Sequence, residues 1–150
     1  QDAVALKPKV IHLLAGGNDV ARNAGTLDAV AFQNNIKAMF DQACAHNITV
    51  VLGTILPAKQ FYWRKEIEPV DEIRSLNRWL AQFAASHRIR LVDYYTPMAT
   101  PEGAMRAELT EDGVHPNRQG YQVMRRALDS ALADALAGHR SLRRSTCRSH

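Results

Sequence analysis

A carboxylate stands three residues ahead of an imidazole in the stretch Glu111-Asp112-Gly113-Val114-His115-Pro116-Asn117. Gly113 lies between them, Pro116 follows, and a long apolar-periodic segment begins at Asn117. An imidazole held by a nearby carboxylate is the base half of a catalytic triad. Asp112 would accept the His115 Nδ1–H, fixing the tautomer and stabilising the imidazolium, and a rigid turn at a helix entrance is a good place to hold the pair. The blander alternative is that Asp112 is a turn residue, since Asp-Gly is an ordinary turn dipeptide, and that His115 is a surface or capping histidine.

A second polar cluster, Gly16-Gly17-Asn18-Asp19, closes the apolar run Val10–Ala15. The two glycines allow backbone to approach a ligand closely, with Gly17 as a substrate contact. The Asn18 amide could donate to a developing oxyanion, a donor of this kind being worth about 2.7–4 kcal/mol. Against this stands an ordinary Asn-Asp turn or helix cap. Asp19 is expected to brace the loop. No G-x-G-x-x-G or Walker pattern follows the glycines, which sets nucleotide binding aside. The cluster Phe61-Tyr62-Trp63-Arg64 reads either as a substrate wall, with Trp63 in contact with substrate, or as loop aromatics packed inward. His12, inside an apolar run, reads as a satisfied core histidine; His46 and His87 sit at predicted helix ends. No pair of histidines has metal spacing, and no cofactor is implied.

The nucleophile is the gap. No G-x-S-x-G occurs. Ser75, Ser86 and Ser130 lie within helical patterns, Ser141, Ser145 and Ser149 in the last residues, and Thr54 near a strand end reads as no more than a β-branched strand residue. None has the strand-to-helix turn that exposes an activated hydroxyl.

The elements that must position these residues follow from periodicity. Val10–Ala15 and Ile48–Ile55 suit buried strands, the first apolar enough to be buried on both faces, and Ile89–Val92 makes a third. A helix capped by Thr26 carries Val30, Ile36, Met39, Phe40, Ala43 and Cys44 as its apolar stripe. A second carries Ile73, Leu76, Leu80, Phe83 and Ala84. A last one, Asn117 to Ala137, carries Tyr121, Met124, Leu128, Leu132 and Leu136. Leu56–Glu68 and Thr96–Gly103 read as loops. Alternation of strand and helix gives an α/β fold with a parallel sheet, whose ligands bind beyond the carboxyl ends of the strands. Both polar clusters fall on that rim. Three parallel strands, however, leave the outer edge of the first with unpaired backbone groups, and no element of this chain is left to cover it.

At 150 residues the chain fits one domain, expected over 1–137, with a basic tail at 138–150 expected to be disordered. It carries 19 basic residues against 15 acidic ones. Four arginines in the tail account for the difference, so the body is neutral and a basic face for nucleic acid is not expected. There is no transmembrane run and no basic-then-apolar leader. The chain opens on Gln1; removal of an upstream leader would imply a secreted or periplasmic protein. Two cysteines, Cys44 and Cys147, make neither a disulfide framework nor a metal motif.

With both clusters in view, the chain resembles the SGNH hydrolases, the GDSL-like lipases and acylhydrolases. The resemblance runs from about Val4 to about Ala137, including Leu56-Pro57-Ala58 through Trp63-Arg64, Leu76-Asn77 with Trp79-Leu80, and Leu109-Thr110-Glu111-Asp112-Gly113. It implies a flavodoxin-like three-layer α/β/α sandwich and hydrolysis of a small-molecule ester without metal or organic cofactor. By its motifs Asn18 would be the oxyanion donor, His115 the base and Asp112 the triad acid. The family's serine block, near the N-terminus at the end of its first strand, and its glycine oxyanion donor, in the next block, have no counterpart here. The resemblance therefore implies a domain incomplete at its N-terminus, inactive alone, with Gln1–Val4 approaching the family's third strand. Its alternatives are a non-catalytic remnant that self-associates through the open edge, or half of an enzyme completed by an N-terminal segment.

Overall fold

A computed structural model describes residues 3–139. Three strands, β1 (Val10–Leu13), β2 (Thr49–Gly53) and β3 (Arg90–Val92), form a parallel sheet in the order β1-β2-β3. The register pairs Val10 with Thr49 and Leu52 with Leu91. Among the described residues β1 pairs only with β2, so its other edge is open as expected.

Side-chain alternation on β2 builds a layer on each face of the sheet. Val50 and Leu52 join a core with Phe32, Ile36 and Phe40 of α2 (Ala29–Ala45) and Ile73, Leu76, Leu80 and Phe83 of α3 (Val70–Ser86). Val51 points the other way, into a core with Val92, Tyr94, Met98 of the short helix Tyr95–Met98, and Ala131 and Ala135 of the C-terminal helix Arg118–His139. A further short helix, Gly17–Val20, follows β1. In chain order the helices are α1 (Gly17–Val20), α2, α3, α4 (Tyr95–Met98) and α5 (Arg118–His139). Ile36, Leu52, Ile73 and Leu80 are essentially fully buried, each worth about 1.5–3 kcal/mol of apolar burial. This is the expected α/β/α layering.

Several local expectations change. The α2 cap is Asp28, not Thr26: its Oδ1 accepts from Val30 N at 2.9 Å and Ala31 N at 3.0 Å. Two bonds from one carboxylate outcompete a hydroxyl two residues upstream. That start turns Val30 outward and Phe32 into the core; Met39 also lies at the surface. The α3 stripe is buried as read. On α5 the buried line is Ala131 and Ala135, flanked by Met124, Leu128 and Leu132, while Tyr121 and Leu136 are exposed. Small residues let the helix sit close to the sheet. β1 is half-buried along its length, not fully buried, because it lies at the sheet edge. The segment read as the loop Thr96–Gly103 opens with α4 and closes on a bridge between Ala99 and Met105. α5 runs two residues past 137, and residues 140–150 of the expected tail lie outside the described residues.

His12 faces the α5 layer, its Nε2 3.2 Å from the buried Tyr94 hydroxyl. Burial lowers its pKa. Gly53 makes room for the pair, since a Cβ there would lie 2.8 Å from the Tyr94 ring and 3.0 Å from His12 Nε2.

Candidate active site

The turn that carries Asp112 and His115 is fixed at both ends. Leu109 is buried, and its carbonyl accepts from Asn117 N at 2.8 Å. Thr110 bridges to Pro116. Asn117 then caps α5, its Oδ1 accepting from Gln119 N at 2.9 Å and Gly120 N at 3.1 Å. Gly120 allows the close approach of helix and turn, since a Cβ there would stand 2.5 Å from the Leu109 oxygen.

Inside the turn the buried Thr110 hydroxyl accepts from Gly113 N at 3.0 Å and donates to the His115 carbonyl at 2.7 Å. Gly113 adopts a φ of 81° that favours glycine. Asp112 Oδ1 accepts the backbone N–H of Val114 at 2.9 Å and of His115 at 2.8 Å, and Oδ2 meets His115 Nδ1 at 2.7 Å. Partial desolvation pushes the Asp112 carboxyl upward, but the hydrogen bonds from the His115 ring and from the His115 and Val114 backbones outweigh it. The carboxyl is held well below the ordinary aspartate range. A carboxylate at Nδ1 fixes the proton there and leaves Nε2 as the basic nitrogen. Among the described residues Nε2 has no hydrogen-bond partner, and the imidazole is 65% exposed.

The second cluster is built on Gly16. Its φ of 111° and the 2.5 Å separation of a would-be Cβ from Ile55 Cδ1 require glycine, and α1 starts from it. Asn18 lies exposed on α1, where its Oδ1 accepts from Asn23 Nδ2 at 2.9 Å. Asn23 Oδ1 accepts the Trp63 indole N–H at 3.2 Å. Trp63 lies over His115, with ring centroids 6.1 Å apart and planes inclined by 22°. These contacts join the sites at the ends of β1 and β2 to the turn before α5. Gly17 faces open space, with nothing within 4 Å of an added Cβ. The Asp19 carbonyl closes the loop by accepting from Arg22 N at 3.0 Å.

The aromatic cluster divides between its two readings. Phe61 is buried, whereas Tyr62 and Trp63 lie at the surface with their ring centroids 4.5 Å apart, and of the two it is Trp63 that stacks on His115. Their loop leaves β2 under firm control. Asn77 grips the Ile55 backbone from both sides at 2.7 and 3.0 Å. Thr54 Oγ1 accepts from Tyr94 N at 2.9 Å and Tyr95 N at 3.0 Å, tying the ends of β2 and β3 together. Thr54 is thus a structural clasp. Asn23, Thr110 and Asn117 also hold the site, and none stands out as a functional residue by type and spacing alone. The helix start after Pro116 was a usable signal for Asn117, and Thr110 lies two residues before an Asp-Gly turn; Asn23 carries no local signal.

No serine among the described residues contacts His115. Ser86 Oγ donates to the Phe83 carbonyl at 3.0 Å, and Ser75 and Ser130 lie exposed on α3 and α5. His46 and His87 are the C-cap residues of α2 and α3. A cavity of about 350 Å³ lined by Lys7, Lys9 and His46 lies at the amino ends of β1 and β2, away from the rim that carries the clusters.

The sequence pattern of the GDSL-like Lipase/Acylhydrolase family matches residues 1–123. The chain belongs to that family. Two solved structures from Bacteroides are similar. One, assigned as an acylhydrolase of Bacteroides fragilis, is 36% identical over 90% of this chain with a TM-score of 0.87. The other, described as a GDSL-like lipase of Bacteroides thetaiotaomicron, is 37% identical over 89% with a TM-score of 0.86. This GDSL-family chain spans 66% of the length of each. An acetylxylan esterase of Geobacillus stearothermophilus, 17% identical over 88% of this chain and 63% of its own, shares the fold with a TM-score of 0.69. No curated protein matches the chain. No helix among the described residues is long and apolar enough to cross a membrane.

Proposed function

We propose that these residues form the base and oxyanion half of an ester-hydrolase site, with His115 as general base, Asp112 as its orienting acid and Asn18 as an oxyanion donor. The attacking serine comes from a segment not carried by this chain, which pairs along the open edge of β1. The observation that carries this reading is the Asp112–His115 pair at 2.7 Å, which fixes the proton on Nδ1 and leaves Nε2 unpartnered and solvent-facing among the described residues. The edge supplies the geometry. A parallel strand added beside β1 ends on the same rim as Gly16–Asn18, which is where a nucleophile for His115 is needed. Family membership and the 66% span of the Bacteroides structures agree with it.

In this site the serine oxygen attacks the ester carbonyl while His115 Nε2 takes its proton. Asn18 Nδ2 donates to the oxyanion of the tetrahedral intermediate. His115 then hands the proton to the leaving alcohol, and water releases the acyl group by the same steps in reverse roles. Gly17 leaves open space beside Asn18 for the ester substrate, and Trp63, with Tyr62 packed against it, walls the site next to His115.

The test is hydrolysis of 4-nitrophenyl acetate by the chain alone and after mixing with the part of the Bacteroides thetaiotaomicron structure that it does not span. Turnover is expected only in the mixture and is abolished by His115→Ala. Turnover by the mixture that survives His115→Ala would overturn the assignment. A second reading rests on the same open edge: two copies pair through β1 and the chain does not hydrolyse esters. Sedimentation showing a concentration-dependent dimer, with the Val10–Leu13 amides protected from exchange, would favour it.

A further inference from the structure

The Asn18 carboxamide can help an oxyanion only with its NH2 end toward the substrate. An exposed asparagine side chain turns over easily, and its two ends differ in nothing but hydrogen bonding. We propose that Asn23 and Trp63 are positioning residues that fix the orientation of the Asn18 amide and couple it to His115. This inference rests on the role proposed for Asn18 above.

The relay starts at the Trp63 indole. Its Nε1–H is donor only, so the Asn23 atom 3.2 Å away must be the carbonyl oxygen. That assignment turns the Asn23 NH2 toward Asn18, where the atom at 2.9 Å must then be Oδ1. With Oδ1 engaged, Nδ2 is the end left to face the site; among the described residues it donates to nothing. The polarity of one group therefore propagates through two amides. Asn23 holds Asn18 a second time, its backbone N–H donating to the Asn18 carbonyl at 3.0 Å. The indole that starts the relay also lies over the His115 ring at 6.1 Å, so one side chain sets the distance between the base and the oxyanion donor.

Two substitutions separate this role from simple packing. Trp63→Phe keeps an aromatic ring over His115 and removes the only obligate donor. Asn23→Asp keeps an acceptor for the indole but presents a carboxylate to Asn18, which must then turn its NH2 away from the site. The first readout is the side-chain amide spectrum of uniformly 15N-labelled full chain. In Asn23→Asp the Asn18 NH2 signals are expected to move downfield and their solvent exchange to slow several-fold. In Trp63→Phe the Asn18 and Asn23 NH2 signals are expected to shift toward the averaged values of free amides, while backbone amides of β2 and α3 stay in place. Unchanged Asn18 NH2 signals in both variants would overturn the relay.

The second readout is kinetic, in the serine-supplied mixture with 4-nitrophenyl acetate. Asn23→Asp is expected to lower kcat about 10²-fold, the loss of one oxyanion donor, with KM within about twofold. Turnover that depends on His115 but is indifferent to Asn23→Asp would sink the relay and leave the esterase reading standing. Amide shifts as expected, with no His115-dependent turnover from any mixture, would retain the relay as a structural fact and sink the esterase reading.

Discussion

Replacing Asp112 by asparagine separates the two tasks of its carboxylate. Oδ1 accepts two backbone N–H groups at 2.8 and 2.9 Å, while Oδ2 holds the His115 ring at 2.7 Å. Asparagine keeps a carbonyl oxygen for the backbone donors and turns an NH2 toward Nδ1. Two donors cannot bond, so the uncharged ring moves its proton to Nε2 and offers Nδ1 as the acceptor. The stability lost is one charge-assisted bond exchanged for a neutral one. With the imidazole 65% exposed, that amounts to about 0.5–1 kcal/mol after solvent screening. Asp112→Ala also strips the acceptor from both backbone groups, at about 1 kcal/mol each, for a total of about 2–3 kcal/mol. Urea unfolding measures both costs, and long-range 15N spectra of the imidazole report the tautomer directly. The wild-type ring is expected as Nδ1–H and the Asn variant as Nε2–H, with an activity loss of about 10⁴-fold in the serine-supplied enzyme, as for the same change in a serine protease triad. Equal costs for Asn and Ala, or an Nε2–H tautomer already in the wild type, would refute this account of how Asp112 acts.

Thr110→Val preserves shape but removes the hydroxyl that holds Gly113 N and the His115 carbonyl; we expect about 2 kcal/mol lower stability in urea and faster exchange of the Gly113 amide, and a change below about 0.5 kcal/mol would rule out its clasping role. Gly16→Ala combines a positive φ with a clash against Ile55, so a loss of about 1–3 kcal/mol is expected by thermal unfolding; a neutral effect would show that the loop is not fixed as described. Stability should also fall with pH in two separate windows. Burial lowers the His12 pKa from 6.5, so the unfolded chain takes this proton first and stability declines as pH drops below 6.5 toward the lowered folded value. The stability from Asp112 is complete above 3.8 and is lost only as pH falls below that, through its depressed folded value. Urea midpoints against pH for His12→Phe and Asp112→Asn should each lack one limb, and a variant that keeps both limbs would contradict its assignment.

The layer architecture was legible because α3 and β2 obey their periods cleanly: Ile73, Leu76, Leu80 and Phe83 all reach the core. Helix faces failed where a start or a side-chain size decided the matter. Asp28 rather than Thr26 begins α2 and rotates Val30 outward, and on α5 Ala131 and Ala135 take the buried line because small residues allow a closer approach. Asp112 and His115 were readable because a three-residue spacing is local and the turn closes on itself. The link between Asn18 and His115 was not. It passes through Asn23 and Trp63, forty residues apart in the chain, and such a juxtaposition leaves no local pattern.

We propose that His115 serves a serine that this chain does not itself carry. A fluorophosphonate probe tests it most directly, with the adduct located by mass spectrometry after the chain is mixed with the unspanned part of the Bacteroides thetaiotaomicron structure. One phosphonylated serine is expected, on the added segment, with labelling lost in His115→Ala. An adduct on a serine of this chain, or labelling at full rate without His115, would contradict it.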